Sequence, residues 1–221
     1  MNLKRKKFLS LFSREQVLKW VRAVFSAVRP KNHYFTRDFV NEPDLTQEMP
    51  EKRRQQGVKG GMMTTKSSPC DVNDIANWFL ARAKDENRPL RPMKLQKLAY
   101  FAYGMYFAYF DQPLFHETIY AFRHGPVVQE LFERFRHLQG NPIMEKVVQK
   151  SGNIDAGIEL LLDSVWKAYE PYSDIQLSDI THIHPPWIDA YNSEEWFAIM
   201  SPESIRDHFK KLIEKQSNAR P

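Results

Sequence analysis

Cysteine occurs once in the 221 residues, as Cys70, so no intramolecular disulfide staples this chain, and a reducing cytoplasm is the expected setting. A bilayer-spanning run is also lacking. The most apolar stretch, 93–110, carries Lys94, Lys97 and several tyrosine hydroxyls, where a membrane helix needs roughly 20 mainly apolar residues. Near the start, Arg14, Glu15 and Lys19 interrupt the apolar run too soon for a secretory signal. There is no glycine-rich phosphate loop, no serine nucleophile elbow and no paired zinc motif, so no cofactor is expected and no catalytic constellation is in view. Cys70 itself lies between Pro69 and Asp71 at a helix entry, where the carboxylate opposes thiolate formation and the helix terminus favours it; it reads as a structural thiol.

Basic charge is unevenly spread. Residues 1–60 hold 14 Lys or Arg against 6 Asp or Glu, a balance of +8, which leaves 18 against 21, or −3, for residues 61–221. The body is mildly acidic and lacks a basic recognition helix, so the net charge of +5 is no argument that it binds nucleic acid.

The basic leader divides in two. Residues 1–30 read as an amphipathic basic extension, with Phe8, Leu11, Phe12, Leu18, Val21 and Phe25 interleaved with Arg14, Lys19 and Arg22 and ended by Pro30. Residues 31–68, with Pro43, Pro50, the 51–56 charge run and Gly57, Gly60 and Gly61, read as a disordered linker. Three readings of the leader stand side by side: a solvated extension, a segment that contacts a membrane surface or anionic partner, and a stretch before a translation start at Met62 or Met63. A compact domain is expected over 69–216 and a short tail over 217–221.

Within that domain the periodicity predicts a mainly helical, α+β fold with a small two- or three-stranded antiparallel sheet. Asp71 caps a helix carrying Ile75, Phe79, Leu80 and Ala83 on one face. The aromatic helix 93–110 is central, with Leu95, Leu98, Ala102, Met105 and Tyr109 on one stripe and Tyr100, Tyr103 and Phe107 around it. Residues 114–123 are β-branched and aromatic, hence extended. Gly125-Pro126 is expected to start a helix, with glycine as cap and proline at the first helical position. That helix buries Val127, Val128, Leu131, Phe132, Phe135 and Leu138 and pairs Glu130 with Arg134 and Glu133 with His137 one turn apart. A further amphipathic helix runs over 158–169, and Ser173 caps a short one to Asp179. Residues 181–187 form a rigid proline corner, and 195–200 are a second strand pairing with 118–123. Ser201 and Pro202 open the last helix.

The block Met93-Lys94-Leu95-Gln96-Lys97-Leu98 through Tyr100, the Pro113-Leu114-Phe115 step, Ile119-x-Ala121-x-Arg123-His124-Gly125-Pro126-Val127-Val128, and Thr181-His182 with Pro186-Trp187 together resemble the Panacea domain, also called SocA-like or phage-associated GepA-like. The likeness covers roughly residues 70–215. Phe122 stands where the family commonly has tryptophan, and His124 where it has tyrosine; both swaps keep bulk. The resemblance implies the antitoxin of a toxin–antitoxin system, which neutralises a cognate protein toxin by direct contact, with a protease as an additional partner where such a protein acts as a degradation adaptor. It implies no small-molecule substrate. On the matching positions it marks Lys94, Lys97, Tyr100, Arg123, His124, Gly125, Pro126, Thr181, His182 and Trp187 as motif or partner-binding residues, which either touch the toxin or brace the surface that does.

Two other function classes follow from the residues. A metal-dependent or other hydrolase would use His182, His184 and a carboxylate such as Asp179, although His182-x-His184 has no second ligand pair at a recognised spacing. A DNA-binding regulator would depend on the leader, through phosphate contacts. Lys97, on an otherwise apolar helix, either snorkels to water or pairs with a buried carboxylate or a partner.

Overall fold

The computed structural model describes residues 68–144, 154–193, 195 and 197–217. The expected basic helix and all of the linker but Ser68 lie outside the described residues. Within them the chain forms seven α-helices and one two-stranded antiparallel sheet, the mainly helical architecture that periodicity predicts.

Helix α1 (Val72–Asp85) starts where the Asp71 carboxylate accepts the Asn73 N–H at 2.7 Å, and it turns Val72, Ile75, Ala76, Phe79 and Ala83 inward. Helix α2 (Pro92–Phe110) opens on proline and is buried without interruption from Leu95 to Ala108, as only the central element of a domain can be. Asp111 ends it in the left-handed region, at φ 55°, and its carboxylate meets Lys210 at 3.0 Å and Arg206 at 3.3 Å on the last helix.

Strands β1 (Ile119–Phe122) and β2 (Gly125–Val128) pair antiparallel around the two-residue turn Arg123-His124, with Ile119 opposite Val128 and Phe122 opposite Gly125. This corrects the expectation that Gly125-Pro126 begins a helix. Glycine at φ +96° is outside the extended conformation that a helix cap adopts, and the apolar Val127 and Val128 continue the ladder instead. Helix α3 begins four residues later (Gln129–Phe135) and tightens into a 3-10 turn, Arg136–Leu138, before Gln139 and Gly140 reverse the chain at positive φ. Its surface side chains also make contacts beyond the expected pairs. Arg134 donates to the Asn73 side chain of α1, whose amide faces Glu130, and Glu133 meets Arg136 at 3.4 Å.

The expected second strand is present as a single antiparallel bridge, Tyr120 to Ile199, made by Ala121 N–H to Ala198 O and Met200 N–H to Ile119 O, both 2.9 Å. The main partner of β1 is β2, whose residues were expected to be helical.

Helix α4 (Ala156–Tyr169) is capped by Asp155 and stacks Tyr169 on Phe101 of α2, ring centroids 4.0 Å apart and nearly parallel. Helix α5 (Asp174–His182) carries a full capping box between Ser173 and Gln176 and runs past Asp179, so Thr181 and His182 belong to its last turn rather than to a corner. Pro185 and Pro186 then open helix α6 (Pro185–Tyr191), where their missing N–H groups cost nothing. Helix α7 (Pro202–Ser217) is capped by the Ser201 hydroxyl and packs Ile205 and Phe209 inward; it includes Ser217, the first residue of the expected tail. Gly104 of α2 lies beneath the Phe209 ring, closer than a Cβ would permit.

Candidate functional site

A two-stranded hairpin leaves an open edge on each side, and burying an edge requires partners for its backbone groups. On β2, Pro126 and Val128 turn their polar groups away from β1, toward α2, because backbone direction alternates along an antiparallel strand. Helix α2 meets them with two side chains. The Gln96 amide pairs with Val128 as a strand would, accepting its N–H at 2.7 Å and donating to its carbonyl at 3.2 Å, and the Lys97 Nζ donates to the Pro126 carbonyl at 3.1 Å. Pro126 has no N–H to satisfy. Proline in a buried strand normally breaks a ladder; here it removes the one donor for which α2 would need a further acceptor.

Lys97 is 1 % exposed, and the Pro126 carbonyl is its hydrogen-bond acceptor. Burial, with no carboxylate to offset it, lowers the ammonium to about 7, so near neutral pH the side chain is poised between amine and ammonium. Neither alternative of snorkelling or carboxylate pairing is what the structure shows. Gly125 is the reason the amine can come so close: a Cβ there would sit 2.7 Å from Nζ and closer still to the Thr181 hydroxyl.

The last turn of α5 closes over the hairpin turn. Ser178 Oγ donates to the His124 carbonyl at 3.0 Å, and the buried Thr181 hydroxyl returns to Ser178 O at 2.8 Å, within its own helix. His182 hydrogen-bonds the Arg123 backbone and stacks on Trp187 at 4.2 Å; burial first, then the Lys97 charge, hold its imidazole down to about 4, so it is neutral. Trp187 in turn donates its indole N–H to Phe122 O at 2.9 Å and stacks on Tyr191.

The structure therefore gathers eight of the ten sequence-marked residues, Lys97, Arg123, His124, Gly125, Pro126, Thr181, His182 and Trp187, around one hairpin turn. Of these, Lys97, Gly125, Pro126, Thr181 and Trp187 are buried, Arg123 and His182 are half-buried, and His124 is exposed. Tyr100 is one turn along α2 in a separate interior cluster, its hydroxyl 3.1 Å from His184 Nδ1, and burial pushes its phenol far up. Lys94 is elsewhere: its Nζ donates at 2.6 Å to the carbonyl of Glu170, which ends α4, a cation on a helix C-terminus, and burial lowers its pKa.

Gln96, Ser178 and His208, none of them marked as a site residue by the sequence, and His184, marked there only for the hydrolase reading, carry much of this interior. Gln96 had a signal, its place in the Lys-Leu-Gln-Lys-Leu block; a polar residue within a run this apolar needs a partner when buried. Sequence spacing pairs His184 with His182, whereas the fold sets it against His208; these two come from the α6 entry and α7, their rings 4.3 Å apart, each with a buried Nε2 that lacks a partner among the described residues. Burial holds His184 well below its ordinary range and His208 down to about 4.

For the hydrolase reading, His182 faces Trp187 and the hairpin while His184 faces Tyr100 and His208, so the two imidazoles do not converge. Among the described residues no group of three His, Cys, Asp or Glu side chains is placed to hold a metal ion, and no helix is long and apolar enough to cross a membrane.

Fold and site together define a mainly helical domain in which one central helix and the end of another pack against a β-hairpin. Residues 95–188, which span from within α2 into α6, match the family described as antitoxin SocA-like, Panacea domain. The resemblance read from the motif blocks holds over that span, and the match supports an antitoxin-type role with a protein partner. No curated protein and no solved structure matches the chain.

Proposed function

We propose that this chain is an antitoxin that neutralises a cognate protein toxin by direct protein–protein contact, with residues 69–216 as the binding unit. The family match over residues 95–188 carries the reading. The geometry supports a division of labour among the motif residues. Lys97, Gly125, Pro126, Thr181 and Trp187 are buried and serve as the brace, while Arg123 and His124 at the hairpin turn are presented to a partner. A brace fixes the turn before contact, so less conformational entropy is lost on binding.

The test is expression of the genes adjacent to this one, each alone and together with the full-length chain. One neighbour is expected to arrest growth alone, to be tolerated on co-expression, and to co-purify with this chain. Substitution of Arg123 and His124 by glutamate should abolish rescue without lowering the melting temperature. Rescue by no neighbour, or turnover of a small molecule that is lost when His182 or His184 is changed, would overturn the reading.

A further inference from the structure

The second edge of the hairpin is not closed by side chains. Residues 198–200 cover β1 through the Ala121–Ala198 and Met200–Ile119 hydrogen bonds, so Ile199, between them, directs its own N–H and C=O away from β1. Among the described residues neither group has a hydrogen-bond partner, and Ile199 is 43 % exposed beside the buried Ala198 and Met200. The contrast with β2 is direct. There every outward group of Pro126 and Val128 is met by Lys97 or Gln96.

The chain enters this edge through a strained residue. Phe197 adopts φ 56°, a conformation that a bulky side chain rarely takes, and its ring packs 5.0 Å from Phe122. Beyond the kink, Ala198 and Met200 turn inward onto β1 and Ile199 alone of the three faces outward. Exposed edges of this kind are commonly blunted by a lysine or a proline; here the central residue is isoleucine. Exposed carboxylates follow on both sides, Glu195 four residues before Ile199 and Glu203 four after.

We infer that residues 198–200 receive an extended segment of the partner protein as an added β-strand, with an apolar side chain opposite Ile199 and basic side chains flanking it. The backbone groups of Ile199 supply the hydrogen bonds, its side chain an apolar contact, and Glu195 and Glu203 the charge that selects a cationic segment. This rests on the antitoxin reading for the partner's identity, while the edge itself is a property of this fold.

The probe is a display library of short random peptides, selected on the full-length chain and on its Ile199→Pro and Ile199→Lys variants. Pro removes the outward N–H and Lys places a charge on the edge, while neither touches the bonds to β1; retained melting temperature and amide-exchange protection of Ala121 and Met200 identify folded variants. The expected selection is of peptides with apolar residues at alternate positions and Lys or Arg at the flanks, bound by the parent chain and not by either variant. N-methylation of the peptide residue opposite Ile199 should weaken binding about tenfold, and of its immediate neighbours should not, since only alternate amides face the edge. The N-methyl scan needs no protein variant and decides the matter if the variants fail to fold. No selected peptide, binding insensitive to N-methylation, binding retained by folded Ile199→Pro, or self-association of the chain through this edge would each overturn the inference. If the parent chain rescues a toxic neighbour and folded Ile199→Pro rescues it equally well, strand addition fails and the antitoxin reading stands. If no neighbour is neutralised, that reading fails, and the peptide experiment still decides the edge.

Discussion

The Gln96 side chain pairs with both backbone groups of Val128, at 2.7 and 3.2 Å, taking the place of a third strand on the buried edge of the hairpin. Replacing it with leucine keeps the bulk and leaves a buried N–H and a buried carbonyl without partners. A loss of about 2 to 4 kcal/mol is expected on the usual cost of such groups, measured by urea unfolding. A loss below about 0.5 kcal/mol, the range of ordinary surface changes, would show that Gln96 does not close the edge.

Lys97 makes stability depend on pH with a definite sign. Its ammonium is held down to about 7 by burial, against an unperturbed value of 10.5. Between those values the unfolded chain binds more protons than the folded one, so stability rises with pH. Below about pH 7 the folded state carries the full penalty of burying charge, and the penalty is relieved as pH climbs toward 10.5. Between pH 7.5 and 9.5 the slope attributable to this group should approach about 1.4 kcal/mol per pH unit. Lys97→Met should flatten the profile, and equal slopes in parent and variant would contradict the assignment.

Gly125 combines positive φ with close approach of Lys97 Nζ and the Thr181 hydroxyl. Gly125→Val is expected to cost about 3 kcal/mol or more, from backbone strain added to overpacking, and Gly125→Ala somewhat less. Thermal unfolding reads both. A valine variant that melts with the parent would rule out this conformation.

Gly104 reverses an ordinary rule. Glycine to alanine inside a helix normally gains about 1 kcal/mol, yet here the new methyl would enter the Phe209 ring. Gly104→Ala should therefore destabilise by about 1 to 3 kcal/mol. Combining it with Phe209→Leu should cost less than the two changes summed, a coupling that a double-mutant cycle measures. Additive effects would place Phe209 elsewhere.

Much of the helical scaffold was legible in the chain. Asp71, Ser173 and Ser201 cap the helices that their residue types announce, and the aromatic run 93–110 matches α2 to within one residue. The hairpin was half legible: 114–123 read as extended and contains β1. Gly125-Pro126 was misread because a glycine before a proline satisfies the local rules for a helix start as well as those for a strand entering from a turn. The motif blocks identified the residues of the brace but not its wiring.

What the sequence by itself determined, then, is where the capped helices at Asp71, Ser173 and Ser201 begin, which faces turn inward, and which residues matter to the family likeness, because capping and periodicity are set by neighbours a few positions apart. The tertiary structure alone decided that Val127 and Val128 join a strand, that Gln96 and Lys97 stand in for its missing neighbour, and that Ile199 is left facing outward. Those outcomes depend on partners 29 residues away for Lys97 and Pro126, and 32 for Gln96 and Val128. A backbone amide is indifferent to sequence until folding settles which acceptor lies within its reach.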